Sequence, residues 1–229
     1  MRKHSLIPTF ASAVALFSAL VLQSTAVDAQ GVTIELMDAN VNPGGMTSID
    51  VTISPTNGPQ TLNAFEVPFL ISASEPGQLS SLQFADPHDE FFLTDPASDY
   101  LFFGNSDAVN LGAAVNDTQS VNMGVNNYLF AFDLTFNLDD MTLTEPRLLT
   151  QLQFTHIVPP GTGPLAVIGE SFSVAIDDTF DPVAVDNLNA DFIDVTVSGP
   201  ATVTVVPEPG TFALCAALSG CIALRRRRR

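Results

Sequence analysis

The chain has 229 residues and a formal net charge of −17, with 8 Lys+Arg against 25 Asp+Glu. Seven of the eight cations lie at the two ends, so residues 30–206 carry 23 acids and one cation, Arg147. A field of that sign repels nucleic acid and anionic lipid, which excludes both as partners of this region, and 177 residues suffice for a self-supporting core.

The first 29 residues read as a secretory signal peptide. Arg2-Lys3-His4 is a basic start, Ala11 to Leu22 is apolar except for two serines, and Val27-Asp28-Ala29 places small side chains at the −3 and −1 positions of a cut before Gln30, with Ser24-Thr25-Ala26 as an alternative site. From Val32 the pattern changes to short alternating runs. Val32, Ile34 and Leu36 alternate with Thr33 and Glu35; Asn42-Pro43-Gly44-Gly45 makes a turn; Ile49, Val51 and Ile53 alternate with Asp50 and Thr52. Pro55 to Pro59, containing Asn57-Gly58, forms the next turn, and a long strand is expected from Leu62 to Ser72.

The stretch Gln78 to Val125 is less regular. Leu79–Phe84 suits a strand, Asp86–Glu90 a loop, and Tyr100, Phe102 and Phe103 are expected in the core. Farther on, Phe130, Phe132, Leu134 and Phe136 share one face, with Ala131, Asp133 and Thr135 on the other. Leu148–Ile157, Phe172–Ile176, Phe192–Val197 and Ala201–Val206 repeat the alternation. Period-two runs separated by Gly, Pro, Asn and Asp predict an all-β fold: an antiparallel two-sheet β-sandwich over residues 30–206, each sheet burying one face. The 14 Phe of this region suit a core.

Residues 207–229 form a separate tail. Pro207-Glu208-Pro209 is extended by its prolines, Thr211–Leu224 is uncharged and suits a short hydrophobic helix, and Arg225, Arg226, Arg227, Arg228 and Arg229 would hold the C-terminus on the cytoplasmic side. Fourteen residues of helix span roughly 21 Å, short of the ~30 Å hydrocarbon core. Both cysteines, Cys215 and Cys221, lie in this tail, so the sandwich has no thiol chemistry and no disulfide.

Pro207, Glu208 and Pro209, the apolar Thr211–Leu224 and the arginine block together resemble the PEP-CTERM sorting signal of bacterial exported proteins. The resemblance implies recognition by an exosortase, a membrane-embedded cysteine transpeptidase, and processing near the motif. It further implies delivery to the cell surface or extracellular matrix after a transient hold in the membrane. The middle resembles a cohesin-type jelly roll, also seen in carbohydrate-binding sandwich modules. That likeness rests on Asn42–Gly45 followed by Ser48–Ile53, on Leu62–Ile71, on Leu149–Ile157 and on the closing Gly199–Val205. It implies a partner-binding module that is not an enzyme, with a surface protein or polysaccharide as partner.

Candidate chemistry is sparse. Asp177, Asp178, Asp181, Asp186 and Asp191, with Asn187, Asn189 and Asp194, crowd hard oxygen donors into one stretch. Calcium is the cofactor such donors suit, although the spacing is not that of an EF-hand. Asp139-Asp140 and Asp177-Asp178 are adjacent pairs, and neighbours on a strand point to opposite faces, which argues against paired carboxylates of a glycoside hydrolase. Alternation places His156 beside Phe154 as a structural histidine, and His88 lies in an acidic loop. A sugar platform would use Trp or Tyr, and the chain has no Trp and two Tyr, Tyr100 and Tyr128.

Overall fold

The computed structural model describes residues 31–85, 99–107, 116–119, 126–177, 184–186 and 193–208. The signal segment, the tail from Pro209 onward with its expected helix, the Asp86–Glu90 loop, His88, Asp178, Asp181 and Asp191 lie outside the described residues.

Alternating sequence becomes alternating burial. Strands β1 (Gly31–Leu36), β3 (Met46–Thr56), β6 (Ser81–Phe84), β10 (Arg147–Ile157) and β13 (Asp194–Val197) form one sheet in the order β13-β1-β3-β10-β6. A seven-stranded sheet faces it, ordered β2 (Ala39–Val41), β14 (Ala201–Val205), β11 (Ser171–Ile176), β5 (Ala64–Ala73), β8 (Tyr128–Leu134) and β7 (Asn116–Gln119), with β12 (Ala184–Asp186) also on β5. Strands β4 (Gln60–Leu62) and β9 (Met141–Leu143) pair separately. Val32, Ile34, Ile49, Val51, Ile53, Leu152 and Phe154 from the first sheet meet Phe65, Val67, Phe69, Phe172, Val174 and Val203 from the second in one core. This is the expected β-sandwich. Pairing is antiparallel except for β1 with β13 and β2 with β14, which run parallel. Gly31 permits the first of these: a Cβ there would lie 2.7 Å from the Asp194 carbonyl oxygen.

The Asn57-Gly58 turn lies where it was expected, with φ of 57° and 111°, the left-handed pair that suits a tight reversal. The strand before it is longer than the pattern suggests, because Pro55 pairs with Val32 on the sheet. The strand expected over Leu62–Ser72 breaks at Asn63 into β4 and β5. Asn63 donates its N–H to the Asp186 carbonyl (2.9 Å), and its own carbonyl accepts from Thr135 N–H (2.8 Å). These two bonds take the chain out of one ladder and start it in another.

The aromatic segment near residue 100 behaves as expected in part. Tyr100 and Phe102 are buried, whereas Phe103 is 38% exposed. The segment is tied to the start of β10 by Leu101 N–H to Leu148 O (2.8 Å) and Leu148 N–H to Asp99 O (2.9 Å).

The main departure from the sequence pattern is β8. Its large apolar row faces outward, and Leu129, Ala131, Asp133 and the following Thr135 face the core. Asp133 can face inward because the Tyr100 hydroxyl and Ser106 Oγ donate to its Oδ2 at 2.5 and 2.6 Å, and Leu134 N–H donates to its Oδ1 at 2.8 Å. A buried carboxylate is tolerable only with such donors. Asp133 lies opposite Phe65, and Phe102 packs on the Phe65 ring with centroids 5.8 Å apart.

Candidate functional site

The outward face of β5 and β8 carries an apolar row, with Pro68 of β5 buried and Glu66 exposed beside it. On β8 it carries Phe130, Phe132 and Leu134, all half-buried, with the Phe130 and Phe132 rings 5.8 Å apart. Strand register sets Phe130 opposite Pro68, Phe132 opposite Glu66 and Leu134 opposite Ala64. Beyond the strand, Phe136 is 41% exposed and Leu138 49% exposed. Asn137 and Leu138 both hold left-handed backbone, with φ of 61° and 58°. For leucine this conformation is strained, and it keeps the side chain of Leu138 out of the core.

The outer face of the other sheet is different. It presents Thr33, Glu35, Ser48, Asp50, Gln151 and Gln153, and Gln151 Nε2 donates to Asp50 Oδ1 at 2.9 Å. Arg147 forms exposed pairs with Glu145 (3.0 Å) and Asp99 (3.9 Å), so the one cation of the central region is already among acids.

The sequence-predicted metal ligands are only partly described. Asp177 donates its N–H to Pro68 O beside β5 (3.1 Å), and Asp186 pairs with Ala64 on the same strand. Four residues of β5 separate those levels, roughly 13 Å at ~3.3 Å per residue. Among the described residues no three His, Cys, Asp or Glu side chains converge on a common point. The Asp186 Oδ1 atom is buried and has no hydrogen-bond partner. Asp139 and Asp140 are both exposed, and Asp194 is exposed on β13. Both tyrosines are 1% exposed, so neither forms a sugar platform.

His156 is 1% exposed, as a structural histidine should be, and it sits in a chain of hydrogen bonds that the sequence did not suggest. Gly44 N–H donates to its Nδ1 at 3.1 Å, its Nε2 lies 2.7 Å from Ser80 Oγ, and Ser80 Oγ donates to Glu170 Oε2. Glu170 also accepts the N–H groups of Leu79 (2.6 Å) and Ser80 (3.1 Å). Serine, histidine and glutamate are the residues of a hydrolytic triad, but the bonds run the wrong way. Nδ1 is an acceptor, so Nε2 carries the proton and cannot take one from Ser80, and the acid contacts the serine instead of orienting the imidazole. Burial lowers the His156 pKa from its ordinary value, against the nearby Glu170 charge, which raises it. For Glu170, burial alone raises the pKa, but the Ser80 hydroxyl, the two backbone N–H groups and His156 together bring it below the usual range.

The expected sorting segment follows the last strand without a spacer. Val206 N–H bonds to Val41 O (2.9 Å), and Pro207 and Glu208 then line a cleft of about 320 Å³ with Pro43, Pro164, Leu165 and Ile168. Glu208 is exposed, and Pro209 lies outside the described residues. Among the described residues no helix is long and apolar enough to cross a membrane.

No family model matches the chain, and no curated protein does. Solved structures similar to it include three cohesins. The cohesin CaCohA2 of Clostridium acetobutylicum is 12% identical, with 79% of this chain and 94% of that one covered at a TM-score of 0.43. A non-cellulosomal cohesin of Archaeoglobus fulgidus is 10% identical, with 80% and 96% covered at 0.43. The sixth cohesin of Acetivibrio cellulolyticus scaffoldin B, solved with a dockerin, is 13% identical, with 76% and 99% covered at 0.42. The β-sandwich described above rests on its own strand pairing.

Proposed function

We propose that this is a non-catalytic, exported surface or matrix protein whose sandwich binds a protein partner through the outward face of β8. The observation that carries the reading is the row Phe130, Phe132 and Leu134, turned away from the core on a strand whose inner face holds an aspartate, with exposed Phe136 just beyond its end. Aromatic side chains left partly in water on a rigid sheet are the anchors that protein interfaces use, because they bury large areas and lose little rotamer freedom. The acid excess of the central region selects against acidic partners. The tail starting at Pro207-Glu208-Pro209 serves as the recognition site of an exosortase-type transpeptidase, which detaches it from a transient hold in the membrane.

The test compares wild type with the F130S/F132S double variant in the producing cell. Both should be exported and trimmed alike, with mass spectrometry finding no C-terminal peptide that contains Leu224. The variant should leave the surface fraction for the medium. A double variant retained as well as wild type would remove the face from the function, and a mature chain still ending in arginines would remove the processing.

One observation favours a second element, a calcium ion held by Asp186 with acids among Asp178, Asp181 and Asp191; Asp177, roughly 13 Å away along β5, does not share it. A buried carboxylate oxygen with no donor, as at Asp186, is costly unless a cation or water satisfies it. Calorimetry should show calcium binding that D186N weakens at least tenfold, and a glycan array at millimolar calcium asks whether that ion serves a polysaccharide. Absence of heat and of any thermal shift would dismiss the ion.

A further inference from the structure

We infer that His156, Ser80 and Glu170 form a protonation-sensitive latch that holds the Asn42–Gly45 turn on the end of the sandwich and releases one side of it in acid. The inference rests on the direction of the hydrogen bonds. Gly44 N–H points at Nδ1, so that atom must offer a lone pair. The imidazole proton is then on Nε2 and goes to Ser80 Oγ, and the Ser80 hydroxyl proton goes to Glu170. Every link already has its donor and its acceptor. An additional proton on the imidazole can enter only at Nδ1, where it would face the Gly44 N–H, and two donors cannot share that line.

Protonation therefore expels Gly44. The turn remains attached at a second point that does not titrate, because His156 N–H donates to Gly45 O at 2.9 Å. Gly45 is thus the fixed side and Gly44 the side that moves, carrying Pro43 with it. The turn's own closing bond, Gly45 N–H to Asn42 O at 2.9 Å, holds both of its ends, so the movement is confined to Pro43 and Gly44. Pro43 forms one wall of the cleft that also holds Pro164, Leu165 and Ile168. Glu170, two residues beyond Ile168, is the far end of the same hydrogen-bond chain. Both walls are therefore tied to one imidazole, and acid loosens the Pro43 wall.

The surroundings of His156 set the sense of the response. Leu82 on β6 pairs with it, and the Phe172 ring on β11 lies 6.0 Å away, edge toward it. On the turn side it meets the backbone of Gly44 and Gly45. Glu170 is the charged group acting on it among the described residues, and this carboxylate favours the imidazolium while burial opposes it more strongly.

The experiment uses the full chain, with backbone and imidazole nitrogens followed by NMR between pH 8 and pH 5. At pH 8 the His156 proton should be on Nε2 and the Gly44 amide protected from hydrogen exchange. By pH 5 the Gly44 protection factor, corrected for intrinsic exchange, should fall at least tenfold while the His156 amide stays protected. In H156N the Asn Oδ1 takes the place of Nδ1 as an acceptor that does not titrate, so Gly44 should stay protected at pH 5. E170Q changes an accessible side chain and removes the charge that favours the imidazolium, so release should move to lower pH. A wild-type Gly44 protection that is constant from pH 8 to pH 5, or a proton on Nδ1 at pH 8, would overturn the latch. An E170Q protein that releases Gly44 at the wild-type pH would also count against it.

Discussion

Replacing Phe132 and Phe69 by alanine, one at a time, tests the assignment of the two faces of the β5–β8 pair. Phe69 is fully buried on the inner face of β5, paired with Leu129. Its truncation loses the whole transfer free energy of the ring and leaves a cavity that the sandwich cannot collapse, about 3–5 kcal/mol. Phe132 is half-buried on the outer face, so only part of a burial worth ~2–3 kcal/mol is at stake, and water fills the space left. About 1 kcal/mol is expected for F132A. Urea unfolding of both variants, with the midpoint shifted and the slope unchanged, reads the two costs directly. The converse substitution, A131F, puts a ring into a closed layer and should cost about 1–3 kcal/mol or more. If F132A cost 3 kcal/mol or more, or F69A only 1, the strand would face the other way and the candidate binding surface would be core.

Further expectations follow from single contacts. Y100F and D133N should each destabilise by about 1–3 kcal/mol, and the double variant should cost less than the sum by about 1 kcal/mol or more, measured as a double-mutant cycle, because both act on one buried hydrogen bond. L138G should be neutral or stabilising by up to about 1 kcal/mol in urea unfolding, since φ of 58° strains leucine and glycine is at ease there. G58A should lower stability by about 1 kcal/mol or more, because φ of 111° suits glycine alone. The lowered pKa of His156 means the native state binds fewer protons than the unfolded chain. Its contribution is complete above the unfolded value of about 6.5 and declines as pH falls from there through the folded value. The thermal midpoint should therefore drop between pH 7 and pH 5 in wild type, and less in H156N.

Much of this molecule is legible from local pattern. Alternation in Val32–Leu36, Ile49–Ile53, Leu148–Ile157 and Ala201–Val205 names real strands because a half-buried sheet needs a period of two. Asn57-Gly58 names its turn because few other residues accept that backbone. The acid excess is composition alone. The orientation of β8 is another matter, since period two says which residues share a face and not which face is covered. That was decided by Tyr100 and Ser106, 33 and 27 residues away, whose hydroxyls make an inward Asp133 possible and leave the phenylalanines outside. Asn63 divides an expected strand through bonds to Asp186 and Thr135, and His156 owes its role to Gly44, 112 residues earlier. Each of these outcomes depends on a polar group finding its partner across the fold, and such a partner has no position along the chain that a pattern could mark.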